Sequence, residues 1–150
     1  MPTVTLDSPV GPVSITEEDG CLVRIRFGGA TPDGNSSVLT AATNQMHAYF
    51  AGTLHVFDLP LTPAASPFQA HLRAAMVAIP YGGMRTYGDL AAELGSEPRA
   101  IGQGCGDNPL PIVVPCHRVV AAGGRLGGFS GGKGPETKRR LLNHEAVHTP

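Results

Sequence analysis

Apolar side chains recur at every second position in stretches near the N-terminus: Val4 and Leu6, Val13 and Ile15, then Cys21, Val23, Ile25 and Phe27. Alternation puts successive residues on opposite faces of a strand, so this pattern predicts half-buried strands. The breaks between them, Ser8-Pro9-Val10-Gly11-Pro12 and Glu17-Glu18-Asp19-Gly20, are turn chemistry and predict a small antiparallel meander. After a loop over residues 28–37, Leu39, Ala42, Met46, Tyr49 and Phe50 fall at helical spacing up to Gly52. One helix should therefore cover one face of the sheet. Residues 58–66, with Pro60 and Pro63, read as a linker between two parts of the chain.

Beyond the linker the period changes to that of helices. Ser66 and Pro67 read as cap and first-turn residue of a helix whose apolar stripe is Phe68, Leu72, Ala75, Met76 and Ile79, ending at Pro80-Tyr81-Gly82-Gly83. Thr86 and Asp89 have the spacing of a capping box for a short helix through Leu90, Ala91 and Leu94, stopped by Gly95. Ser96 is placed to cap another short helix at Glu97-Pro98-Arg99. Two short helices joined at a glycine predict a helix-turn-helix, a pattern also found in proteins that never touch DNA. A last helix is predicted from Pro135 and Glu136 through Leu141 and Leu142. The organisation is then a domain over residues 1–62 and a second over residues 63–150.

Composition narrows the class. The 150 residues are 41% hydrophobic and 15% charged, which excludes a disordered chain. No apolar run approaches a membrane span, and the N-terminus lacks a secretory signal, so a cytoplasmic protein is expected, nucleoid-associated if bacterial. The net charge of −1 hides an asymmetry: residues 1–62 carry two basic against six acidic side chains, −4, and residues 63–150 nine against six, +3. A polyanion would meet the second part first. The histidines show no ligand spacing, and no metal is expected.

Three cysteines at irregular spacing, Cys21, Cys105 and Cys116, argue against a disulfide framework and leave at least one free thiol. The sharpest local feature is Asn108-Pro109-Leu110-Pro111-Ile112-Val113-Val114-Pro115-Cys116-His117-Arg118-Val119-Val120. Its prolines fix φ and remove donors, and the Ile-Val-Val run predicts an extended, buried rod delivering Cys116. Beside His117 and Arg118 that thiol is placed to have a lowered pKa and act as a nucleophile, although most buried cysteines are inert.

The run Pro115-Cys116-His117-Arg118-Val119 resembles the active-site motif of the O6-alkylguanine-DNA alkyltransferases. The likeness extends to Ile79-Pro80-Tyr81-Gly82, Thr86-Tyr87, Pro98-Arg99-Ala100-Ile101-Gly102, Asn108-Pro109, Gly127-Gly128-Phe129-Ser130-Gly131-Gly132 and Leu141-Leu142-Asn143-His144-Glu145. Upstream, Asp7-Ser8-Pro9-Val10-Gly11-Pro12 and Tyr49-Phe50-Ala51-Gly52 look like the family's N-terminal domain. The resemblance implies an α/β N-terminal domain, with a small antiparallel ribonuclease-H-like sheet and a helix, and a mostly α C-terminal domain with a winged helix-turn-helix.

The same resemblance implies roles. Cys116 would take the alkyl group from guanine O6 once per molecule, with His117 as base through a water and Glu145 orienting it. Tyr87 would donate to guanine N3 as charge develops there. Ser130, through its backbone N–H, and the carbonyls of Cys116 and Val119 would bind the base, with Phe129, Gly131 and Cys105 around it. Arg99 would fill the stack vacated by the flipped base. Thr86, Ala100, Gly102 and Arg118 would contact DNA, Gly104 and Gly106 would let the recognition helix approach the groove, and Asn108 would be a hinge. The implied partner is double-stranded DNA containing O6-alkylguanine, bound by a monomer with scope for cooperativity, with no cofactor and no membrane. Lys138, Arg139 and Arg140 read either as phosphate contacts or as a solvated helix face.

Departures from the family pattern are Arg73 in place of a tryptophan, Gly83 in place of an acidic residue, Phe129 in place of a tyrosine, and the glycine-rich Gln103-Gly104-Cys105-Gly106-Asp107. Cys105 would line the pocket or be oxidised against Cys116. Two other classes compete: a non-catalytic damage-recognition module, against which Cys116 stands, and a thiol hydrolase or redox enzyme using Cys116 and His117.

Overall fold

A computed structural model describes residues 1–149 and divides the chain into two compact units, Met1–Thr62 and Pro63–Pro150. In the first, strands β1 (Thr3–Leu6), β2 (Val13–Glu18) and β3 (Cys21–Phe27) form an antiparallel meander in sequence order. Glu18 pairs with Cys21 across a two-residue loop whose Asp19 and Gly20 have φ of 52° and 82°. Positive φ at both positions is the type I′ hairpin turn, whose twist matches that of the strands. Val13, Ile15 and Ile25 are buried with Leu39, Ala42, Met46 and Tyr49, the inner stripe of helix α1 (Ser37–Phe50).

The predicted linker is in part ordered against this unit. Leu22 donates to the Pro60 carbonyl at 2.8 Å and accepts from the Thr62 amide at 2.9 Å, so residues 60–62 extend the sheet as a short parallel bridge. Prolines cannot donate, and Pro60 contributes only its carbonyl here, so its presence is compatible with edge pairing.

The second unit begins with α2 (Pro67–Val77), capped by the Ser66 hydroxyl. Then come β4 (Arg85–Thr86), α3 (Tyr87–Leu94), α4 (Pro98–Gly106), β5 (Val119–Val120) and α5 (Pro135–Val147). The capping box of Thr86 and Asp89 is formed, and Gly95, at φ 63°, closes α3 in the left-handed conformation. Ser96 does not cap α4: its amide bonds to the Ala91 carbonyl as part of that closing turn, and the N-cap is Glu97. Gly104 faces inward, where a Cβ would lie 2.5 Å from Leu72 Cδ2 and 3.1 Å from Phe68 Cε2. It serves the packing of α4 on α2, so the expectation that it eases the approach to a groove does not hold for it.

Candidate active site

Of the Ile112-Val113-Val114 run predicted to be extended and buried, Ile112 and Val114 are buried and Val113 is half-buried, but the run is not extended. Ile112 has φ 74°, a conformation that a β-branched residue rarely adopts, and the Val114 amide turns back to the Leu110 carbonyl at 2.9 Å. Asn108 stabilises this turn, donating from Nδ2 to the Val114 carbonyl at 2.9 Å and accepting the Leu110 amide at 3.1 Å. At Pro115 (φ −81°, ψ 66°) the Cys116 amide reaches the Val114 carbonyl at 2.8 Å, which is an inverse γ-turn. The chain then enters one 3₁₀ turn over Cys116–Arg118. Proline spacing alone does not distinguish a rod from a folded turn, because both accept φ near −65°.

Cys116 is only 7% exposed. Burial pushes its thiol up, opposed by a hydrogen bond from the Asn108 side chain, by the Lys138 charge and by its own backbone amide. The lowered pKa expected from neighbouring cations is therefore overturned: desolvation wins, and the Arg118 guanidinium is committed elsewhere. Such a thiol needs a base to react.

His117 is fully buried and follows Cys116 in the same turn. Its Nε2 lies 2.6 Å from Glu145 Oε2. Glu145 is brought there by α5, which runs beyond the predicted Leu142 to Val147. Arg118 forks onto the same carboxylate, Nε to Oε1 at 2.8 Å and Nη2 to Oε2 at 3.1 Å, and the Gly82 amide donates to Oε1 at 3.3 Å. A carboxylate only accepts, so Nε2 carries the histidine proton and Nδ1 holds the lone pair. Nδ1 is buried with no hydrogen-bond partner among the described residues. Burial holds the imidazole pKa below its ordinary value against the pull of Glu145, so the ring is neutral and able to accept a proton at Nδ1.

This geometry corrects one assignment. Arg118 is buried, with Nη1 on the Ile79 carbonyl at 2.8 Å and its guanidinium carbon 5.7 Å from the Tyr81 ring centroid. Its guanidinium is buried and bonded inside the protein, so it is not placed to contact DNA.

The parallel pairs Arg85 with Val119 and Thr86 with Val120 set Tyr87, the first residue of α3, beside the thiol segment. Burial raises the Tyr87 hydroxyl pKa, and the Cys105 and Cys116 thiols add to the rise. Gly127, at φ 75°, packs so close that a Cβ would lie 2.6 Å from the Tyr87 hydroxyl oxygen and 2.7 Å from its ring. Cys105 faces the same space, its Sγ 3.8 Å from Met76 Sδ, and desolvation pushes its pKa to about 12. It remains protonated. Gly102 faces the Tyr87 ring, 4.0 Å from a built Cβ to Cε1.

Arg99 and Ser130 are exposed, Thr86, Ala100, Phe129 and Gly131 are half-buried, and Val119 is buried with its amide on the Cys116 carbonyl. The structure thus brings Cys116, His117 and Glu145 together with Tyr87, Cys105 and Asn108, and leaves Arg99 and Ser130 on the surface. Lys138 is neither a phosphate contact nor part of a solvated face: it is 1% exposed and reaches Tyr87 Oη at 3.2 Å. The sequence signal for it is the spacing Lys138, Leu141, Glu145, the buried stripe of α5. Among the described residues no group of three His, Cys, Asp or Glu is placed to hold a metal ion, and no helix is long and apolar enough to cross a membrane.

Comparison with known proteins agrees with this architecture. Residues 3–63 match the ribonuclease-like domain, and residues 67–147 the DNA binding domain, of 6-O-methylguanine DNA methyltransferase. The methylated-DNA–protein-cysteine methyltransferase of Mycolicibacterium paratuberculosis is 39% identical over 97% of this chain and 93% of its own length. The constitutive enzyme of Bacillus subtilis is 37% identical over 95% of this chain and 94% of its own. The crystal structure of Mycobacterium tuberculosis OGT in complex with DNA superposes with a TM-score of 0.88 at 38% identity, covering 99% of this chain and 94% of that one. The chain belongs to the methylated-DNA–protein-cysteine methyltransferase family.

Proposed function

We propose that the protein repairs double-stranded DNA by taking the alkyl group of O6-alkylguanine onto Cys116, irreversibly and once per molecule. The observation that carries this reading is a buried thiol followed by a neutral histidine whose Nε2 is fixed on Glu145 and whose Nδ1 lone pair is uncommitted. That is the arrangement of nucleophile, base and orienting group.

A base stacked in a duplex cannot reach a thiol this buried, so the nucleotide flips out, at a cost of roughly a few kcal/mol that is lower where alkylation has weakened pairing. Arg99, exposed on α4, enters the vacated stack, while Thr86, Ala100 and Gly102 lie along the groove. The base is received between Tyr87, Cys105, Phe129 and Gly131, with the Ser130 amide near O6 and the carbonyls of Cys116 and Val119 toward the exocyclic amine. The Cys116 carbonyl already accepts the Val119 amide and offers its second lone pair. Asn108 keeps the turn that presents the thiol.

The thiol proton passes through a water to His117 Nδ1 as Sγ attacks the alkyl carbon. The carbon–sulfur bond forms, the carbon–O6 bond breaks, and its electron pair leaves with guanine. The Tyr87 hydroxyl donates to N3 as that charge develops, a contact that strengthens in the transition state. The thioether is not cleaved by any group in the site. The expected place of action is the cytoplasm, at the nucleoid if the host is a bacterium.

Titrating protein into a fixed amount of duplex bearing one O6-methylguanine tests the reading. Loss of one lesion per protein molecule, with none in Cys116→Ser, is expected. Continued lesion loss beyond one per molecule would identify a turnover enzyme instead, and tight lesion binding with no loss a recognition module.

A further inference from the structure

The turn between α2 and β4 bears on the buried pair of His117 and Glu145. The Gly83 amide donates to the Pro80 carbonyl at 2.8 Å and Gly82 has φ 80°, so residues 80–83 form a type II turn with Gly82 in third place. Glycine reaches negative φ as readily, and with it the type I form. The two forms differ by a near half-turn of the peptide between Tyr81 and Gly82. In the observed form the Gly82 amide donates to Glu145 Oε1 at 3.3 Å. In the other form the Tyr81 carbonyl oxygen would face the carboxylate in its place. The form of this turn decides whether Glu145 has that donor.

Thr149 is seated on the turn. A Cβ built on Gly82 would overlap the Thr149 hydroxyl oxygen and lie 3.2 Å from both its Cβ and its Cγ2, so the threonine fills the space that glycine leaves. Its hydroxyl donates to the Glu145 carbonyl at 2.6 Å. One residue thus touches the turn that donates to the carboxylate and the backbone that carries it.

We propose that Thr149 is a positioning residue for the His117 and Glu145 pair: seated against Gly82, it keeps the turn over residues 80–83 in the form that aims the Gly82 amide at the carboxylate. The inference rests on the alkyl-transfer reading and extends it to a residue outside the reacting groups. A donor to a carboxylate favours its charged form. Without the Gly82 amide, Glu145 pulls harder on the Nε2 proton, and His117 Nδ1 becomes the stronger base. Burial lowers the His117 pKa, Glu145 opposes it, and Arg118 and Lys138 add to burial. Burial and then Glu145 raise the Tyr81 hydroxyl, and Arg118 opposes them. Cys116 titrates at the other end of the range, its thiol raised by burial. All of these groups are kept when only Thr149 is changed. The imidazole must be neutral to take the thiol proton, so a higher His117 pKa moves the acid limb of the transfer rate to higher pH.

A role confined to packing lowers the urea midpoint and leaves the acid limb where it is. Single-turnover methyl transfer from a saturating duplex bearing one O6-methylguanine is therefore measured against pH for wild type, Thr149→Gly and Thr149→Ser. Thr149→Gly, which empties the space against Gly82, should move the acid limb up by about half a pH unit, a loss of about threefold in rate below the limb. Thr149→Ser, which keeps the hydroxyl, should retain the wild-type limb. The amide proton resonance of Gly82, which reports its bond to the carboxylate, should move upfield in Thr149→Gly and hold its place in Thr149→Ser. In the folded Thr149→Gly protein, an unmoved limb or an unmoved Gly82 resonance would overturn the inference, as would a serine variant that behaves like the glycine one, while wild-type transfer left the alkyltransferase reading standing. Wild-type silence at every pH would overturn that reading, and this inference with it.

Discussion

At the scale of single residues, burial decides chemistry more than sequence neighbourhood does. Arg118 lies two residues from the nucleophile in sequence, yet its fork closes on Glu145 and burial keeps its guanidinium from a phosphate. Removing one member of a buried pair strands the other, so Arg118→Met should cost about 3–5 kcal/mol of unfolding free energy in urea. Arg99→Ala, at an exposed position, should change stability by no more than about 0.5 kcal/mol. If both substitutions had similar small effects, the buried network would not be holding the site. Gly127 makes a second residue-scale case. Gly127→Ala places a methyl where the Tyr87 ring lies and demands positive φ of an alanine. Its methyl transfer should fall at least tenfold with the Cys116 thiol still present by thiol titration, and an unchanged rate would show that Tyr87 has room to move.

At the scale of elements, two of the three glycines of α4 give opposite predictions. Gly104→Ala meets Leu72 and Phe68 and should destabilise by about 1–3 kcal/mol despite the better helix propensity of alanine. Gly106→Ala points into open space and should stabilise by up to about 1 kcal/mol. Thermal melts of the two variants shifting in the same direction would contradict the assigned packing of α4 on α2. Elements with their own local signals were legible in the sequence: the alternating strands, the capping box at Thr86 and Asp89, the Ser66 and Pro67 start, and the Gly95 stop. What was not legible depended on tertiary contacts. The turn at Ile112 needs Asn108 and a buried setting to hold a β-branched residue at positive φ. The continuation of α5 to Val147 is favoured by packing against the 3₁₀ turn through Glu145, and no apolar run beyond Leu142 announces it. Of the site, the thiol, histidine and carboxylate could be named from the motif, whereas Lys138 sits in a basic run that reads as surface and only its place on the inward stripe of α5 sets it apart.

At the scale of the whole molecule, the buried site couples stability to pH. Burial holds the His117 pKa below 6.5 and the Cys116 pKa above 9.0. A base with a depressed folded pKa contributes stability that is fully present above 6.5 and is lost as pH falls through its lower folded value. A thiol with a raised folded pKa contributes stability that is fully present below 9.0 and is lost as pH rises through its folded value. Urea midpoints should therefore be highest between these limits and fall on both sides, and Cys116→Ser should make the alkaline limb shallower, with the raised Cys105 thiol supplying the remainder. An unchanged alkaline limb in that variant would mean that the thiol is not the group desolvated on folding. Charge adds a directional element, since the second unit carries +3 and the first −4, so the helix-turn-helix unit is the one a polyanion attracts. The central claim is the destination of the alkyl group. It is tested most directly by incubating the protein with a duplex bearing one O6-methylguanine and taking the mass of the peptide that contains Cys116. The account predicts a gain of one CH₂ on that peptide and on no other, whereas an unmodified Cys116 peptide after the lesion has disappeared would contradict it.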